Sequence, residues 1–367
     1  MFIPIAEPII GREELDLVTK TLKSGWISSI GENISKFEET FSKYCGAKYG
    51  VATSNGTAAL HLCLVSAGIG PGDEVIVPSM TFIATANAVV YTGAKPIFVD
   101  SEIETGNIDP DKIESKINKN TKAIIAVHLY GHPANMGLVR FIAHKHKLLV
   151  FEDAAEAHGA KYKGKTVGGL SNASCFSFYG NKIITTGEGG MIVTNNKAFA
   201  NKARALRDHG VSLKRKYYYP WLGFNYRMTN IQAAIGLAQF NKIDEIIERK
   251  REISKIYRKY LATLVPRITL SNEAEWARSV FWMNSILVPP KGKVNRDFLI
   301  SELKKQGIDS RPFFFPIHKY SRFGKPEKLP VAEYLARTGI NLPSSSNLNE
   351  DTIKYICNNI INILQSN

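Results

Sequence analysis

A lysine set between two apolar runs and followed by a glycine-rich turn holds the most chemistry in this sequence. Within residues 177–194, SFYGNKIITTGEGGMIVT, Lys182 has Phe178, Ile183 and Ile184 as neighbours and precedes Gly187-Glu188-Gly189-Gly190. Enclosure by apolar side chains removes water from an ammonium group. The pKa then falls, and the free amine becomes a better nucleophile and base. Upstream, the apolar run 148–151 ends in Glu152-Asp153-Ala154-Ala155-Glu156, which puts acids at the carboxyl end of a predicted strand. A buried amine and such an acid together suit pyridoxal 5′-phosphate (PLP). The amine forms a Schiff base with an aldehyde, and the acid keeps the pyridine nitrogen protonated so that the ring accepts electrons.

A phosphate-bearing cofactor also needs an anion cradle. Ser54-Asn55-Gly56-Thr57 lies between a predicted strand and a predicted helix. Glycine lets the backbone approach an anion, and the first amides of a helix point at it. Gly56 and Thr57 are the cradle candidates, with the hydroxyl of Ser177, five residues before the lysine, as a further donor. Each feature also has a plainer reading. A lone lysine is usually a surface charge, Asp153 can cap the helix that follows it, and Glu156 can serve the dipole of that helix.

The elements that position these residues alternate. Strands are predicted at 50–52, 74–77, 96–99, 123–128, 148–151, 174–178 and 190–194, with helices at 57–66, 83–91, 136–144 and 198–206. This order specifies an α/β fold with a mostly parallel sheet flanked by helices. Ligands of such folds bind at the carboxyl ends of the strands, where His128, Asp153 and Ser177 fall. By the same argument His128 and His158 are expected near the cofactor. A long amphipathic helix over about 230–261 is expected to link a large domain, 1–240, to a smaller α+β domain, 241–367. The latter should contain a strand near 282–288, a helix near 296–306 and a final helix near 350–364.

Bulk properties exclude several classes. No apolar run approaches the roughly 20 residues that span a bilayer. The first residues, MFIPIAEPII, lack a basic segment and a small-residue cleavage site, so a cytoplasmic protein is expected. Cys45, Cys63, Cys175 and Cys357 are scattered, as reduced thiols are. The net charge of +14 is spread along the chain without aromatic-basic interleaving, so it reads as a solvated basic surface and not as a nucleic-acid site. No histidine pair has metal-ligand spacing with a cysteine or acid, so no metal is expected.

Six blocks in order carry a family resemblance: Trp26-Ile27-Ser28-Ser29, residues 54–61 (SNGTAALH), 71–78 (PGDEVIVP), 152–157 (EDAAEA), 177–190, and 223–230 (GFNYRMTN). Together they resemble the PLP-dependent nucleotide-sugar aminotransferases of the aspartate-aminotransferase fold type I, with a seven-stranded sheet in the large domain. The run FSFYGNKIITTGEGGM, the phrase VHLYGHP and Glu156 are similar to the members that aminate a GDP-linked 4-keto-6-deoxy sugar. Action on a UDP- or dTDP-linked sugar stays open at this point.

The resemblance implies roles. Lys182 bonds the cofactor and moves the proton, Asp153 pairs with the pyridine nitrogen, and Glu156, where relatives often carry Gln, meets the ring oxygen. Gly56, Thr57 and Ser177 hold the phosphate, and Phe82 stacks on the ring. Asn225 reaches the phosphate from a neighbouring subunit, which implies a homodimer with shared sites. Arg227 meets either the substrate pyrophosphate or an acid in the dimer interface. The aromatic group Tyr217-Tyr218-Tyr219 and Trp221 either stacks on the substrate or packs that interface. Trp26, Ser28, Ser29 and His318, the last beside Phe313-Phe314-Phe315, are substrate-side candidates. Glutamate is the implied amino donor.

Overall fold

The structure is a computed structural model, and it describes residues 2–290, 294–324 and 327–366. Two helices, α1 (Arg12–Ser24) and α2 (Glu32–Tyr44), precede an alternating run. This run is β1 (Tyr49–Thr53), α3 (Gly56–Ser66), β2 (Glu74–Pro78), α4 (Ala84–Tyr91), β3 (Lys95–Val99), β4 (Thr121–Val127), α5 (Met136–Lys145) and β5 (Leu149–Asp153). A hairpin of β6 (Lys161–Tyr162) and β7 (Lys165–Thr166) leads to β8 (Ala173–Ser177), β9 (Gly190–Thr194) and α6 (Lys197–Arg207). Next come α7 (Asn230–Asn241), α8 (Ile243–Leu261), β10 (Thr269–Leu270), β11 (Ala277–Arg278), β12 (Asn284–Leu287) and α9 (Arg296–Lys305). The chain closes with β13 (Arg311–Pro312), α10 (Pro330–Thr338), β14 (Gly339–Leu342) and α11 (Glu350–Gln365).

The main sheet has seven strands in the order β1-β9-β8-β5-β4-β2-β3. Its strands run parallel except β9, which is antiparallel to both β1 and β8. The exception follows from the connection. A parallel return needs a crossover element, usually a helix. The segment between β8 and β9 contains none, because it is the loop that carries Lys182. Val75, Ile76 and Val77, like residues 123–127, are wholly or almost wholly buried, as strands of a sheet covered on both faces must be.

The helix expected over about 230–261 is two helices. Lys242 leaves helical geometry at ψ 4°, and its Nζ pairs with Glu14. Gln239 is tied to Ile9 O and to Glu14, so α7 is fixed against the N-terminal segment and the chain turns before α8 starts. The sequence changes character there too. Ala233, Ala234, Gly236 and Ala238 of α7 are buried small residues, whereas α8 has one apolar face.

That face spans two cores. Ile243 and Ile247 pack with the core under the main sheet. Ile253, Tyr257 and Leu261 pack with Leu299, Leu303, Ile353, Ile356 and Ile360 in a second core, which Ile3 also joins. The second core is backed by an antiparallel sheet of order β10-β12-β14-β13. The four cysteines are buried and unpaired.

Candidate active site

A cavity of about 740 Å³ opens where β2, β4, β5 and β8 end, lined by Thr81, Val127, Asp153 and Ser177 among others. Lys182 enters it from the loop after β8. Its Nζ lies 3.7 Å from Glu156 Oε1 and 3.8 Å from the centre of the Trp282 ring. Burial pulls the amine's pKa down, and the nearby charges of Glu156 and Asp153 offset this only in part.

Asp153 is the last residue of β5. Its Oδ2 accepts a hydrogen bond from Thr85 Oγ1 at 2.7 Å, and its Oδ1 accepts from the Ala155 amide at 3.2 Å. Burial raises its pKa in spite of both donors. A desolvated carboxylate so held is a ready partner for a cation. Glu156 follows on the same loop, and its Oε2 accepts from the Tyr130 amide at 2.8 Å. Burial pushes its pKa up to about 7, against the pull of Lys182.

The start of α3 forms one wall. Asn55 is extended, and its side chain accepts from the Ala58 amide, a helix N-cap. Gly56 and Thr57, in the first turn, line the cavity. Amides at this position have no partner within a helix. A Cβ on Gly56 would stand 2.7 Å from Ser177 Cβ, so only glycine lets the helix approach β8 this closely. A Cβ on Gly190 would likewise stand 2.4 Å from the Asn55 carbonyl oxygen. These glycines set the cradle against the strand that leads to Lys182.

The residues fit PLP. The helix start with Ser177 suits a phosphate, the pinned Asp153 suits a protonated ring nitrogen, and Lys182 suits an aldehyde. The volume is that of an ordinary small-molecule site. Gly56, Thr57, Phe82, Asp153, Glu156, Ser177 and Lys182 all line the one cavity. Phe82 is more than half exposed there, edge-on to Phe314 with ring centres 5.7 Å apart.

Other candidates lie elsewhere. His318 is buried, with Nδ1 2.6 Å from Ser79 Oγ and Nε2 3.3 Å from Glu333, so both ring nitrogens are engaged away from the cavity. His128 is occupied by Glu152 and by the Ala134 amide, each at 3.0 Å. His158 sits among Phe41, Phe176 and Phe178, and burial lowers its pKa to about 3. Neither of these two histidines lines the cavity. Trp26, Ser28 and Ser29 are also outside it, and Asn230 holds the carbonyls of Trp26 and Ser28. Asn225 is exposed outside its own chain's cavity, and Arg227 pairs with Asp208.

Sequence reasoning missed Tyr130, Thr85 and Trp282. Tyr130 has φ 51° and Gly131 has φ 95°, and this turn aims the Tyr130 amide at Glu156. The Tyr-Gly pair in VHLYGHP was the available signal. Trp282 was read as part of a strand, but β12 begins at Asn284.

The chain matches the DegT/DnrJ/EryC1/StrS aminotransferase family over residues 8–361. It is 47% identical to GDP-perosamine synthase of Caulobacter vibrioides, with 96% of each chain aligned. It is 46% identical to GDP-perosamine synthase of Escherichia coli over 98% of each chain. A putative sugar aminotransferase of Streptococcus pneumoniae, solved in its PLP form, superposes with a TM-score of 0.94 at 28% identity, covering 100% of this chain and 99% of that one. With this cavity and this likeness along its whole length, the chain belongs to the DegT/DnrJ/EryC1/StrS family and is a PLP-dependent aminotransferase.

Proposed function

We propose that the enzyme moves an amino group from L-glutamate to the 4-keto carbon of GDP-4-keto-6-deoxy-mannose, giving GDP-perosamine for a surface polysaccharide such as O-antigen. The observation that carries this reading is the nearly end-to-end likeness to two GDP-perosamine synthases. The setting is a cytoplasmic homodimer, with residues 1–240 as the cofactor-binding domain and 241–367 as the smaller one.

Bound in the cavity, the cofactor supplies an aldehyde for amines and a protonated ring that draws electrons from the carbon losing its proton. The Asp153 carboxylate holds that ring proton in place, fixed in orientation by Thr85. Lys182 Nζ takes the proton from the α-carbon of the donor in one half-reaction and delivers a proton to the sugar's C4 in the other. Its lowered pKa suits both directions, since the free amine is the base and the ammonium the acid. The N–H groups of Gly56 and Thr57 and the Ser177 hydroxyl bind the phosphate. Asn225 serves the cavity of the partner subunit, and Arg227, Trp26, Ser28 and Ser29 are substrate-side residues.

Two experiments test this. Borohydride reduction of the PLP-loaded enzyme, followed by peptide mapping, should place the label on Lys182, and a label elsewhere removes the assignment. Purified enzyme offered GDP-, UDP- and dTDP-linked 4-keto-6-deoxy sugars with glutamate should prefer the GDP sugar. The product should be identified as the 4-amino sugar by mass and NMR. A preference for UDP or dTDP would keep the aminotransferase and overturn perosamine.

A further inference from the structure

Lys250 stands where α8 passes from the first core to the second, at a position where the rest of the inward face is apolar or small. It is 4% exposed. Among the described residues no carboxylate pairs with it. Its Nζ instead donates to two main-chain carbonyls, Trp282 O at 3.1 Å and Ser344 O at 2.7 Å. Trp282 precedes β12 and Ser344 follows β14, so neither carbonyl belongs to a strand ladder. Burial lowers the pKa of Lys250 to about 7.

The first of these carbonyls belongs to the residue that faces the reacting amine. Trp282 donates its indole N–H to Asn181 O at 2.7 Å, and its ring centre lies 3.8 Å from Lys182 Nζ. Trp282 is therefore held at its main chain by Lys250 and at its ring edge by Asn181, with its face against Lys182. The backbone just before it is strained, with Phe281 at φ 45°. A bulky residue held in that region needs its surroundings to fix it. A small cavity lined by Asn181, Lys182 and Lys250 lies between the two lysines, so they share a wall of the structure.

We propose that Lys250 is a positioning residue of the reaction: it pins the Trp282 main chain so that the indole face lies on the Lys182 amine. The electron-rich face then favours the ammonium form of Lys182 and limits the swing of its side chain. Filling two carbonyls could be done by a neutral donor without burying an unpaired charge. The ammonium brings three donors on a long stem, which lets one side chain tie α8 to both segments.

The proposal rests on Lys182 being the reacting amine, but its test does not depend on that reading. In cofactor-free protein, Lys182 is acetylated across a pH series, and peptide mass spectrometry gives its titration midpoint. Glu156 and Asp153, whose charges also act on Lys182, stay unchanged in every variant. Lys250→Met should lower the midpoint by about half a pH unit to one and a half units. Trp282→Leu should lower it equally, and the double variant no further, because both act through one contact. Lys250→Arg should restore the midpoint. An unchanged midpoint in Lys250→Met, even with a lower melting temperature, overturns the proposal, as does a fully additive double variant. If Lys250→Met does not fold, Lys250→Gln keeps a donor for one carbonyl and should show a smaller shift of the same sign. A wild-type midpoint in Trp282→Leu overturns the proposal too.

Discussion

Glu156 faces Lys182 with one oxygen only: Oε1 is 3.7 Å from Nζ, while Oε2 is taken by the Tyr130 amide. Burial raises the pKa of Glu156 to about 7, although the Lys182 charge and the Tyr130 amide both favour its ionised form. A Gln at this position would present a donor there permanently. A protonated Glu156 presents the same donor below about pH 7.

This gives a pH signature for the cofactor-free protein. The folded-state pKa of Glu156 lies above its ordinary value of 4.5, so the folded form holds the proton more tightly than the unfolded chain. Its stabilising contribution is complete below the unfolded pKa and falls away as pH rises through the folded one. Between about pH 4.5 and 7, wild type should lose up to roughly 3 kcal/mol more than Glu156→Gln does. Urea unfolding at a series of pH values checks this, and parallel curves for the two proteins would refute it.

Asp153 should be the more sensitive acid. Asp153→Asn keeps the hydrogen-bonding shape but cannot balance a protonated ring nitrogen, so turnover should fall by about 100-fold or more. PLP should still bind through the phosphate cradle, and Glu156→Gln should be much milder. Thr85→Val removes the 2.7 Å donor to Asp153. A buried bond to a charged group is worth about 1.5–3 kcal/mol, so kcat should drop by up to roughly 10- to 150-fold. Steady-state kinetics that rank Glu156→Gln as the most damaging of the three would reverse the roles given to the acids.

The parts that were legible in the sequence are those where local pattern dictates structure. The runs Val75-Ile76-Val77 and 123–127 are continuous and apolar because both faces of the sheet are covered, and they gave strands within a residue or two of those observed. Asp153, Gly56 and Lys182 were legible because strand ends and glycine turns mark where a parallel sheet binds ligands. Helices α1 and α2 were not expected, and polar residues such as Glu14, Asn33 and Glu38 are buried in them. Those burials depend on distant partners: Gln239 for Glu14, Asn230 for Asn33 and Arg207 for Glu38. Trp282 illustrates the same limit. Its place on Lys182 is set by Lys250 and Asn181, far from it in the chain, and no local spacing encodes that contact. His318 misled for the opposite reason. A lone histidine in an aromatic run looks like a ligand, but Ser79 and Glu333 occupy both of its nitrogens.

Asn225 is exposed and outside its own chain's cavity, which sets up a complementation experiment. Lys182→Ala and Asn225→Ala should each be inactive alone. If the enzyme is the proposed homodimer with shared sites, mixing the two in equal amounts under subunit exchange makes half of the dimers mixed, each with one site in which both residues are intact. Activity should then recover to roughly a quarter of wild type. No recovery, with exchange proven by mass spectrometry, would place Asn225 outside the shared site.

Gly56 offers a test of the phosphate cradle that leaves every charged group untouched. Alanine there puts a methyl group 2.7 Å from Ser177 Cβ, well inside contact distance. Either α3 or the end of β8 must move, and overpacking of this kind costs about 1–3 kcal/mol. The movement opens the proposed cradle, whose amides would come from Gly56 and Thr57 and whose hydroxyl would come from Ser177. Gly56→Ala should therefore weaken PLP binding about 10-fold or more, read by titrating the visible absorbance of the cofactor, and should also lower the melting temperature. Ser177→Gly in the same chain removes the colliding Cβ. The double variant should regain the lost melting temperature but bind PLP no more tightly than Ser177→Gly alone, since the hydroxyl is gone. If Gly56→Ala binds PLP as wild type does, the start of α3 is not the phosphate site.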